Sequence, residues 1–422
     1  MNEYQHSVLL DASKCTGCTT CLKHCPTEAI RIKDGHAVIN DRRCIDCGEC
    51  IRHCPHKAKK AVCSKLEAMN RFKYKIALPA PTLYGQFDNL DDIDYVLDGL
   101  LKIGFDEVFE VSKAAELVSA YTRMYLKIDS IKKPLISSAC PVIVRLIALR
   151  FPSLSGNIIH MLPPMEVAAA LAREKAHREH PELAEDEVGV CFISPCPAKV
   201  SYVKNSFADY KSKVDEVVSI SDIYFSLINS MSADKSPEQL SESGIIGIGW
   251  ASSGGEATAI FNEKYLAADG IENVIRVLDQ VENGNIQNLE FIELNACPGG
   301  CVGGVMTVQN PFIAKARLRS LSHGLPVSRN VLNNRKSYYI PELYLFDKLP
   351  EYAPITRLSD NLAESMRMMA DIQKFRESLP GIDCGACGAP SCRAFAEDVI
   401  RGKAHFAGCP INIEKKESSS DS

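Results

Sequence analysis

The sequence predicts a central α/β domain with largely parallel sheets, flanked by two small cysteine-rich units. Candidate strands alternate with amphipathic helices between residues 71 and 350, a cysteine pattern repeats in the first 62 residues, and another cysteine cluster follows residue 383. Strands separated by helices favour parallel pairing. With 422 residues, 46% of them hydrophobic, the chain is long enough for about three domains.

The composition argues against several kinds of partner. A net charge of −5 without a basic stripe gives no reason to expect nucleic acid, and no run of about 18 apolar residues predicts a membrane span. The first ten residues lack the pattern of a secretory signal, so we expect a cytoplasmic protein. In a reducing compartment, 18 cysteines indicate metal ligands more than disulfides, and oxygen-poor surroundings would suit them.

A cysteine motif occurs twice in residues 1–70, with an offset of 29 residues. Each copy reads Cys-x2-Cys-x2-Cys-x3-Cys-Pro, the spacing of two-cluster bacterial ferredoxins, in which each fourth cysteine ligates the other cluster. We therefore predict an α+β ferredoxin-like module with two 4Fe-4S clusters that relay electrons. One cluster would be bound by Cys15, Cys18, Cys21 and Cys54, and the other by Cys44, Cys47, Cys50 and Cys25. Two zinc sites are the alternative, which the Cys-Pro endings disfavour.

The regular elements predicted in residues 1–350 follow from hydrophobic periodicity. Short strands are expected at Ala29 to Ile32 and Ala37 to Asn40. In the central domain, residues 71–350, helices are expected at Leu90 to Ile103, Lys113 to Ile128, Pro164 to Glu179 and Glu256 to Ala268. Strands are expected at Glu107 to Val111, Pro134 to Ser138, Val188 to Ser194, Gly244 to Trp250 and Glu290 to Leu294.

The C-terminal part is predicted to contain a helical linker, residues 351–382, and a small cysteine domain, residues 383–412. One long helix is expected from Leu358 to Leu379, ended by Pro380 and Gly381. The cysteines that follow resemble the four-cysteine domain of electron-transfer and corrinoid iron-sulfur proteins, which implies a further 4Fe-4S cluster on Cys384, Cys387, Cys392 and Cys409. Zinc is a stronger alternative here, because the fourth ligand is distant. Residues 413–422 are polar enough to be a disordered tail.

Four further cysteines lie far apart in the central domain: Cys140, Cys196, Cys297 and Cys301. The first two are each followed by proline, and the last two lie in a glycine-rich loop. Three of the four follow the carboxyl ends of predicted strands, where open α/β sheets bind ligands. Taken alone they could also be buried apolar residues.

These loops resemble the three signature loops of the FeFe hydrogenases. The family pattern Thr-Ser-Cys-Cys-Pro matches Ser137 to Pro141, and Met-Pro-Cys-x-x-Lys matches Ser194 to Lys199. The third pattern, Glu-x-Met-Ala-Cys-x-x-Gly-Cys-x-x-Gly-Gly, matches Glu293 to Gly304 with small deviations. The resemblance covers residues of about 75 to 350, and extends from residue 1 if the ferredoxin-like module is included.

The resemblance implies that Cys140, Cys196, Cys297 and Cys301 hold the 4Fe-4S part of an H-cluster. Cys301 would also bridge to a di-iron unit with CO, cyanide and dithiolate ligands, and Lys199 would form an ion pair with a cyanide. A solvated surface lysine is the alternative for Lys199. The implied reaction is reversible dihydrogen oxidation and proton reduction, with a redox partner protein such as ferredoxin or a signalling protein, and a homodimer stays open.

The sequence departs from the family pattern where protons would move. Ala139 stands where efficient members have a proton-carrying cysteine, and a methyl group can act as neither acid nor base. Further along that route, expected acidic residues align with Tyr121 and Thr122. Two motif methionines are replaced by Ser194 and Asn295, which suggests more polar surroundings for the cofactor.

With these losses and its C-terminal cysteine domain, the chain resembles the sensory-type hydrogenases, which turn over slowly and report hydrogen to a partner. The resemblance implies slow turnover and a hydrogen-sensing or regulatory role here. Glu256, after Gly254 and Gly255, is our candidate for a replacement proton carrier, and an ordinary first-turn helix glutamate is the equal alternative. Two other functions stay open for the chain. One is a hydrogenase-like iron-sulfur protein without the di-iron unit, acting in electron transfer or cluster assembly, and the other is a pure electron-transfer module.

Overall fold

The computed structural model describes residues 5–205, 210–232, 236–332, 339–348, 354–355 and 357–411. Parts of the predicted linker and the whole predicted tail, residues 413–422, lie outside this range. Among the described residues, no helix is both long and apolar enough to cross a membrane.

The N-terminal module is built from two short antiparallel strand pairs and two short helices, in keeping with its internal repeat. Strands β1 and β4 pair with each other, and β2 pairs with β3. The elements are β1 (Val8–Leu10), α1 (Thr20–Lys23), β2 (Ile30–Lys33), β3 (His36–Ile39), α2 (Glu49–Arg52) and β4 (Lys59–Ala61). The two strands predicted between the cysteine motifs are confirmed within a residue or two.

The central domain contains two parallel sheets, as predicted. One sheet has four strands in the order β6-β5-β8-β9, and the other has three in the order β10-β11-β7. The strands are β5 (Tyr74–Pro79), β6 (Glu107–Val108), β7 (Leu135–Ile136), β8 (Val188–Ser194), β9 (Glu216–Ser219), β10 (Tyr265–Asp269) and β11 (Phe291–Asn295).

Helices cover both faces of the four-stranded sheet. Along β8 the side chains alternate: Val190 and Phe192 join the core with α4 and α6, whereas Cys191 and Ile193 join the core with α3 and α8. The α-helices of this domain are α3 (Asp94–Lys102), α4 (Val111–Tyr125), α5 (Pro141–Arg150), α6 (Pro164–Glu179), α7 (Pro197–Lys204), α8 (Ile220–Ser232), α9 (Ile245–Gly249), α10 (Gly255–Thr258), α11 (Ile271–Glu282) and α12 (Pro311–Leu321).

Short 3₁₀ helices complete the connections. They lie at Leu66–Arg71, Pro81–Gln86, Pro152–Asn157, Glu185–Glu187, Cys301–Gly303, Glu342–Tyr344 and Phe406–Gly408.

The C-terminal domain packs two helices together and docks on the N-terminal module. The helices are α13 (Leu362–Glu377), shorter than predicted, and α14 (Cys392–Ile400), which share an apolar core. Asp398 accepts from Arg31 Nε at 2.5 Å, and the Ile32 amide donates to the Gly388 carbonyl at 2.9 Å. The two cysteine-rich units, distant in sequence, are therefore neighbours in the fold.

Two element predictions are wrong. The apolar run Gly244 to Trp250, predicted as a strand, contains helix α9, because Gly247 lets it pack closely on α4: a Cβ there would lie 2.3 Å from the Ser112 carbonyl oxygen. The helix predicted from Glu256 to Ala268 ends after its first turn. Phe261 has a positive φ of 56°, and the rest of the segment forms β10 beside β11.

Candidate cofactor site

Three of the four central cysteines follow the carboxyl ends of parallel strands. Cys140 follows β7, Cys196 follows β8, and Cys297 follows β11. Cys140 and Cys196 are also the N-cap residues of α5 and α7, each with proline in the first helical turn. Proline suits that position, since its missing N–H would have no partner in the helix, and this explains the proline after each of these two cysteines.

The fold brings all four central cysteines together, although they come from three loops. Burial is the main cause of the raised pKa of Cys196, to about 11, and of Cys301, to about 12. The charges of neighbouring cysteines raise these values further, and both Cys301 and Cys297 are influenced by Cys196 and Cys140. Cys301 still reaches solvent, whereas the other three are partly buried. Such a set needs bound cations to hold its thiols as thiolates.

Glycine allows the third loop to lie against its neighbours. Gly300 has a φ of 94°, and a Cβ on it would lie 2.4 Å from the Ser253 nitrogen; one on Gly304 would lie 2.2 Å from the Pro195 carbonyl oxygen. Both distances are far shorter than real Cβ contacts, so the loop can approach closely only with glycine. The same close packing places Cys301 beside the loop of Cys196.

Lys199 connects the first two loops. Its Nζ donates to the Ala139 carbonyl at 2.8 Å and lies 5.7 Å from the centre of the Tyr202 ring. The side chain is half-buried, which disagrees with a freely solvated surface lysine. Its charge lowers the pKa of both Cys196 and Cys301, against the larger effect of burial, so the ammonium faces the cysteine set.

A hydrogen-bonded chain leads from Ala139 to a buried carboxyl group. The Ala139 amide donates to Ser137 Oγ at 3.1 Å, and Ser137 Oγ in turn donates to Glu256 Oε2 at 2.6 Å. Glu256 is in the first turn of α10, as one of the two interpretations predicted, but only 7% of it is exposed. Sequence patterns gave no role to Ser137, because serine in a loop is common.

Glu256 is paired electrostatically with a second buried carboxyl, that of Glu293. Burial, followed by the Glu293 charge, raises the pKa of Glu256 to about 8. Burial also raises the pKa of Glu293, although this residue accepts hydrogen bonds from the Gly254 and Ala257 amides and from Asn295 Nδ2 at 2.7 Å. When two carboxyls share a low-dielectric site, the pKa of one of them is strongly raised, because both cannot easily be charged at once. Glu293, quoted only as part of a motif, is a site residue that the sequence reasoning missed.

The two methionine replacements bond to protein groups close to them. Asn295 donates to Glu293, and Ser194 Oγ accepts from the Cys196 amide at 3.2 Å. Both side chains therefore have partners within the protein.

The sequence profile described as "Iron only hydrogenase large subunit, C-terminal domain" matches residues 73–305, more than half of the chain and all four central cysteines. The chain belongs to the iron-only hydrogenase family. Further profiles match on either side: a 4Fe-4S dicluster domain at residues 7–55 and an Fe-S cluster domain at residues 379–411.

Individual proteins match this chain over shorter segments than the family profile does. A probable cytosolic Fe-S cluster assembly factor of Drosophila erecta is 29% identical over 107 residues, 24% of this chain and 22% of that protein. A component of the Na⁺-translocating ferredoxin:NAD⁺ oxidoreductase complex of Acetobacterium woodii is 44% identical over 36 residues, 8% of this chain and 11% of that protein. The chain thus spans less than a quarter of either relative.

Among solved structures, an apo FeFe-hydrogenase variant from Chlamydomonas reinhardtii is 16% identical. The match covers 63% of this chain and 90% of that one, with a TM-score of 0.46.

In the dicluster domain of this chain, the structure brings the cysteines together in two sets. Cys25 lines one cavity together with the second motif's Cys44, Cys47 and Cys50. Cys21 interacts electrostatically with Cys15, Cys18 and Cys54. Each set contains four thiols, the donors that iron-sulfur clusters use.

The C-terminal cysteines also meet. Cys384, Cys387, Cys392 and Cys409 line a single cavity, so the distant fourth cysteine returns to the other three. In the part of the chain that the structure describes, no group of three or more His, Cys, Asp or Glu residues is placed to hold a single metal ion.

Neither of the two residues that align with the family's outer proton route, Tyr121 and Thr122, carries a carboxyl group. Tyr121 packs against Tyr344, with ring centres 4.3 Å apart, and burial raises its pKa. Thr122 is buried on α4. The nearby Glu116 accepts hydrogen bonds from the Gly244 amide and from Asn330, which indicates a structural carboxylate.

Proposed function

We propose that the chain is a hydrogenase that interconverts dihydrogen with protons and electrons, slowly, and serves in hydrogen sensing or regulation. The observation that supports this most is the meeting of four cysteine thiols from three loops, with the Lys199 ammonium facing them. The Lys199 ammonium would pair with the anionic ligands of a di-iron unit, which a plain electron carrier lacks.

The residues present suit an H-cluster. Cys140, Cys196, Cys297 and Cys301 would hold its 4Fe-4S part, and Cys301, the most exposed of them, would also bridge to the di-iron unit. The di-iron unit, when bound, supplies the heterolytic cleavage of dihydrogen. Lys199 would neutralise part of its anionic charge and position the Ala139 carbonyl through the 2.8 Å hydrogen bond.

The proton route proposed for this chain runs through Ser137 and Glu256 because Ala139 cannot carry a proton. The Ser137 hydroxyl relays a proton between the Glu256 carboxyl, 2.6 Å away, and the region of Ala139. With a pKa of about 8, Glu256 can both accept and release protons near neutral pH. A route with an extra relay step and no thiol agrees with slow turnover.

Electrons would leave through the dicluster module. The proximal cluster would be that of Cys25, Cys44, Cys47 and Cys50, since Cys47 packs in the same apolar core as Cys140 and Cys196. Arg52 Nη2 donates to the Gly303 carbonyl at 2.8 Å, which fixes the module against the glycine loop. The C-terminal domain, docked on β2, would extend this path to a redox or signalling partner.

The division into modules is part of the proposal: residues 1–70, 71–350, the linker 351–382 and the C-terminal unit 383–412. The matched profiles agree with its outline, since they cover residues 7–55, 73–305 and 379–411.

The test is hydrogen turnover by the full chain after its clusters are assembled and a synthetic di-iron complex is added. We expect hydrogen evolution from a reduced dye and dye reduction by hydrogen, both abolished in an identically treated Cys301→Ser variant. Activity equal in the two proteins, or absent from both, would contradict the proposal.

A second candidate is an iron-sulfur protein without the di-iron unit that acts in cluster assembly. The local identity of 29% with a probable assembly factor favours it. Lys199 beside the central cysteines argues for the hydrogenase. The assembly function predicts transfer of clusters from this chain to an apo iron-sulfur protein, which can be followed by the acceptor's absorbance.

A further inference from the structure

Lys59 is a buried lysine inside the dicluster module. It is the first residue of β4, where it pairs with Leu10, and only 3% of it is exposed. Its Nζ is buried and has no hydrogen-bond partner among the described residues. A buried ammonium without an anion is costly, so its position calls for a negatively charged neighbour.

The internal repeat shows that this lysine is not a requirement of the fold. An offset of 29 residues relates Lys59 to Ile30, which is buried to the same degree, with 2% exposed. Ile30 lines the cavity of Cys25, Cys44, Cys47 and Cys50. The equivalent position thus holds an apolar side chain in the first copy of the repeat and a cation in the second.

The charge of Lys59 acts on both sets of module cysteines. It lowers the pKa of Cys21, which belongs to one set, and of Cys50, which belongs to the other, although burial raises both values more strongly. Lys59 is the largest opposing influence on each of these two thiols. Geometry agrees with this: the amide of Ala58, the residue before Lys59, donates to Cys54 Sγ at 3.3 Å, so β4 begins beside one set, as Ile30 lies beside the other.

A 4Fe-4S cluster on four thiolates is the anion that this arrangement suits. Such a cluster is negatively charged, and reduction adds one further negative charge. A fixed cation in a low-dielectric interior stabilises the reduced form more than the oxidised form, whereas a lysine at the surface is screened by water.

We propose that Lys59 is a redox-tuning residue: a fixed positive charge between the two 4Fe-4S clusters of the module that raises the reduction potential of both. The module then holds electrons more firmly than a ferredoxin with an apolar residue at this position. This inference requires only the 4Fe-4S clusters and is independent of hydrogen turnover.

The test uses the full chain with its 4Fe-4S clusters assembled and no di-iron complex added. Lys59→Met removes the charge and keeps a long unbranched side chain. Redox titration followed by electron paramagnetic resonance should show the module's midpoint potentials moving to more negative values. The potentials of the central and C-terminal clusters should stay in place as internal references.

Two matched variants serve as controls. Lys60→Met removes the same charge from the exposed neighbouring residue, and Ile30→Met places methionine at the repeat-related position. Neither should reproduce the shift. Unchanged module potentials in Lys59→Met, or an equal shift in Lys60→Met, would overturn the proposal.

If Lys59→Met does not retain the module's clusters, iron content is measured in place of the midpoint potentials. The charge-conserving Lys59→Arg variant should then retain them, which would show that the clusters need a cation at this position. Equal loss of iron from the Met and Arg variants would show a steric role and overturn the proposal.

Discussion

Ser137 Oγ lies 2.6 Å from Glu256 Oε2, and this buried contact joins the first cysteine loop to the helix that follows Gly254. The serine is two residues from Ala139, where the family pattern has a proton-carrying cysteine. The chain thus has no thiol at position 139, and the buried Glu256 carboxyl is connected to this position through the Ser137 hydroxyl.

The first prediction concerns Glu256 as a proton carrier. Glu256→Gln keeps the size of the side chain but cannot exchange protons, so hydrogen turnover in the loaded protein should fall by about two orders of magnitude. Glu272→Gln is the control, because Glu272 is also a first-turn helix glutamate but is exposed. Equal rates in the two variants would show that Glu256 serves only its helix.

The second prediction concerns the pH dependence of stability. The pKa of Glu256 is raised from 4.5 to about 8 in the folded chain, so between these values the folded state retains a proton that the unfolded state releases. Stability must therefore fall as the pH rises towards about 8 and level off above it. Thermal unfolding midpoints measured from about pH 6 to about pH 9 should show this fall in the wild type. Glu256→Gln should show a smaller fall, and identical profiles would contradict the assignment.

The third prediction restores the missing thiol. Ala139→Cys places an acid–base group next to the first cluster ligand, and turnover should rise by about tenfold or more if proton transfer limits the rate. In the control variant Ala139→Ser, the serine side chain is nearly the same size as cysteine but is a far weaker acid, so the rate should change little. An unchanged rate in Ala139→Cys would contradict the prediction and show that a step other than proton transfer limits turnover.

The fourth prediction concerns docking of the C-terminal domain. Asp398 and Arg31 form a pair in which each side chain is about 15% exposed, so Asp398→Asn should weaken docking by about 1–2 kcal/mol. Hydrogen exchange in residues 379–411 and along β2 should become faster. Asp371→Asn, on the exposed face of α13, should leave both regions unchanged. Protection that is the same in both variants would show that other contacts hold the domain.

The fifth prediction concerns the glycine loop. Gly300→Ala introduces a Cβ 2.4 Å from the Ser253 nitrogen at a φ of 94°, so the loop must move and Cys297 and Cys301 with it. Loss of the central cluster alone would lower the iron bound in four 4Fe-4S clusters by about one quarter. Gly156→Ala, where a Cβ would have no atom within 4 Å, should keep full iron content.

Sequence spacing predicted the parts of the site that depend on the covalent order of ligands. The ferredoxin repeat predicts that Cys25, although it belongs to the first motif, ligates the cluster of the second. The structure groups it with Cys44, Cys47 and Cys50. Strand β8 was also predictable, because its apolar residues run along nearly its whole length and all seven of its residues are buried.

Tertiary contacts decided what the sequence could not. The segment Gly244 to Trp250 is apolar enough for a strand, but close packing of Gly247 on α4 makes it helical. The contacts that join Ser137 to Glu256 and Glu293 to the Ala257 amide connect residues more than 35 positions apart, so no local pattern indicates them. The burial of Lys59 likewise becomes visible only when β4 is paired with β1.

The most direct test of the central claim is infrared spectroscopy of the full chain treated with a synthetic di-iron complex. If Cys140, Cys196, Cys297 and Cys301 hold an H-cluster, sharp CO and cyanide bands should persist after the unbound complex is removed. They should be absent from Cys301→Ser, and Lys199→Met should shift the cyanide bands. A wild-type spectrum without CO and cyanide bands would contradict the account.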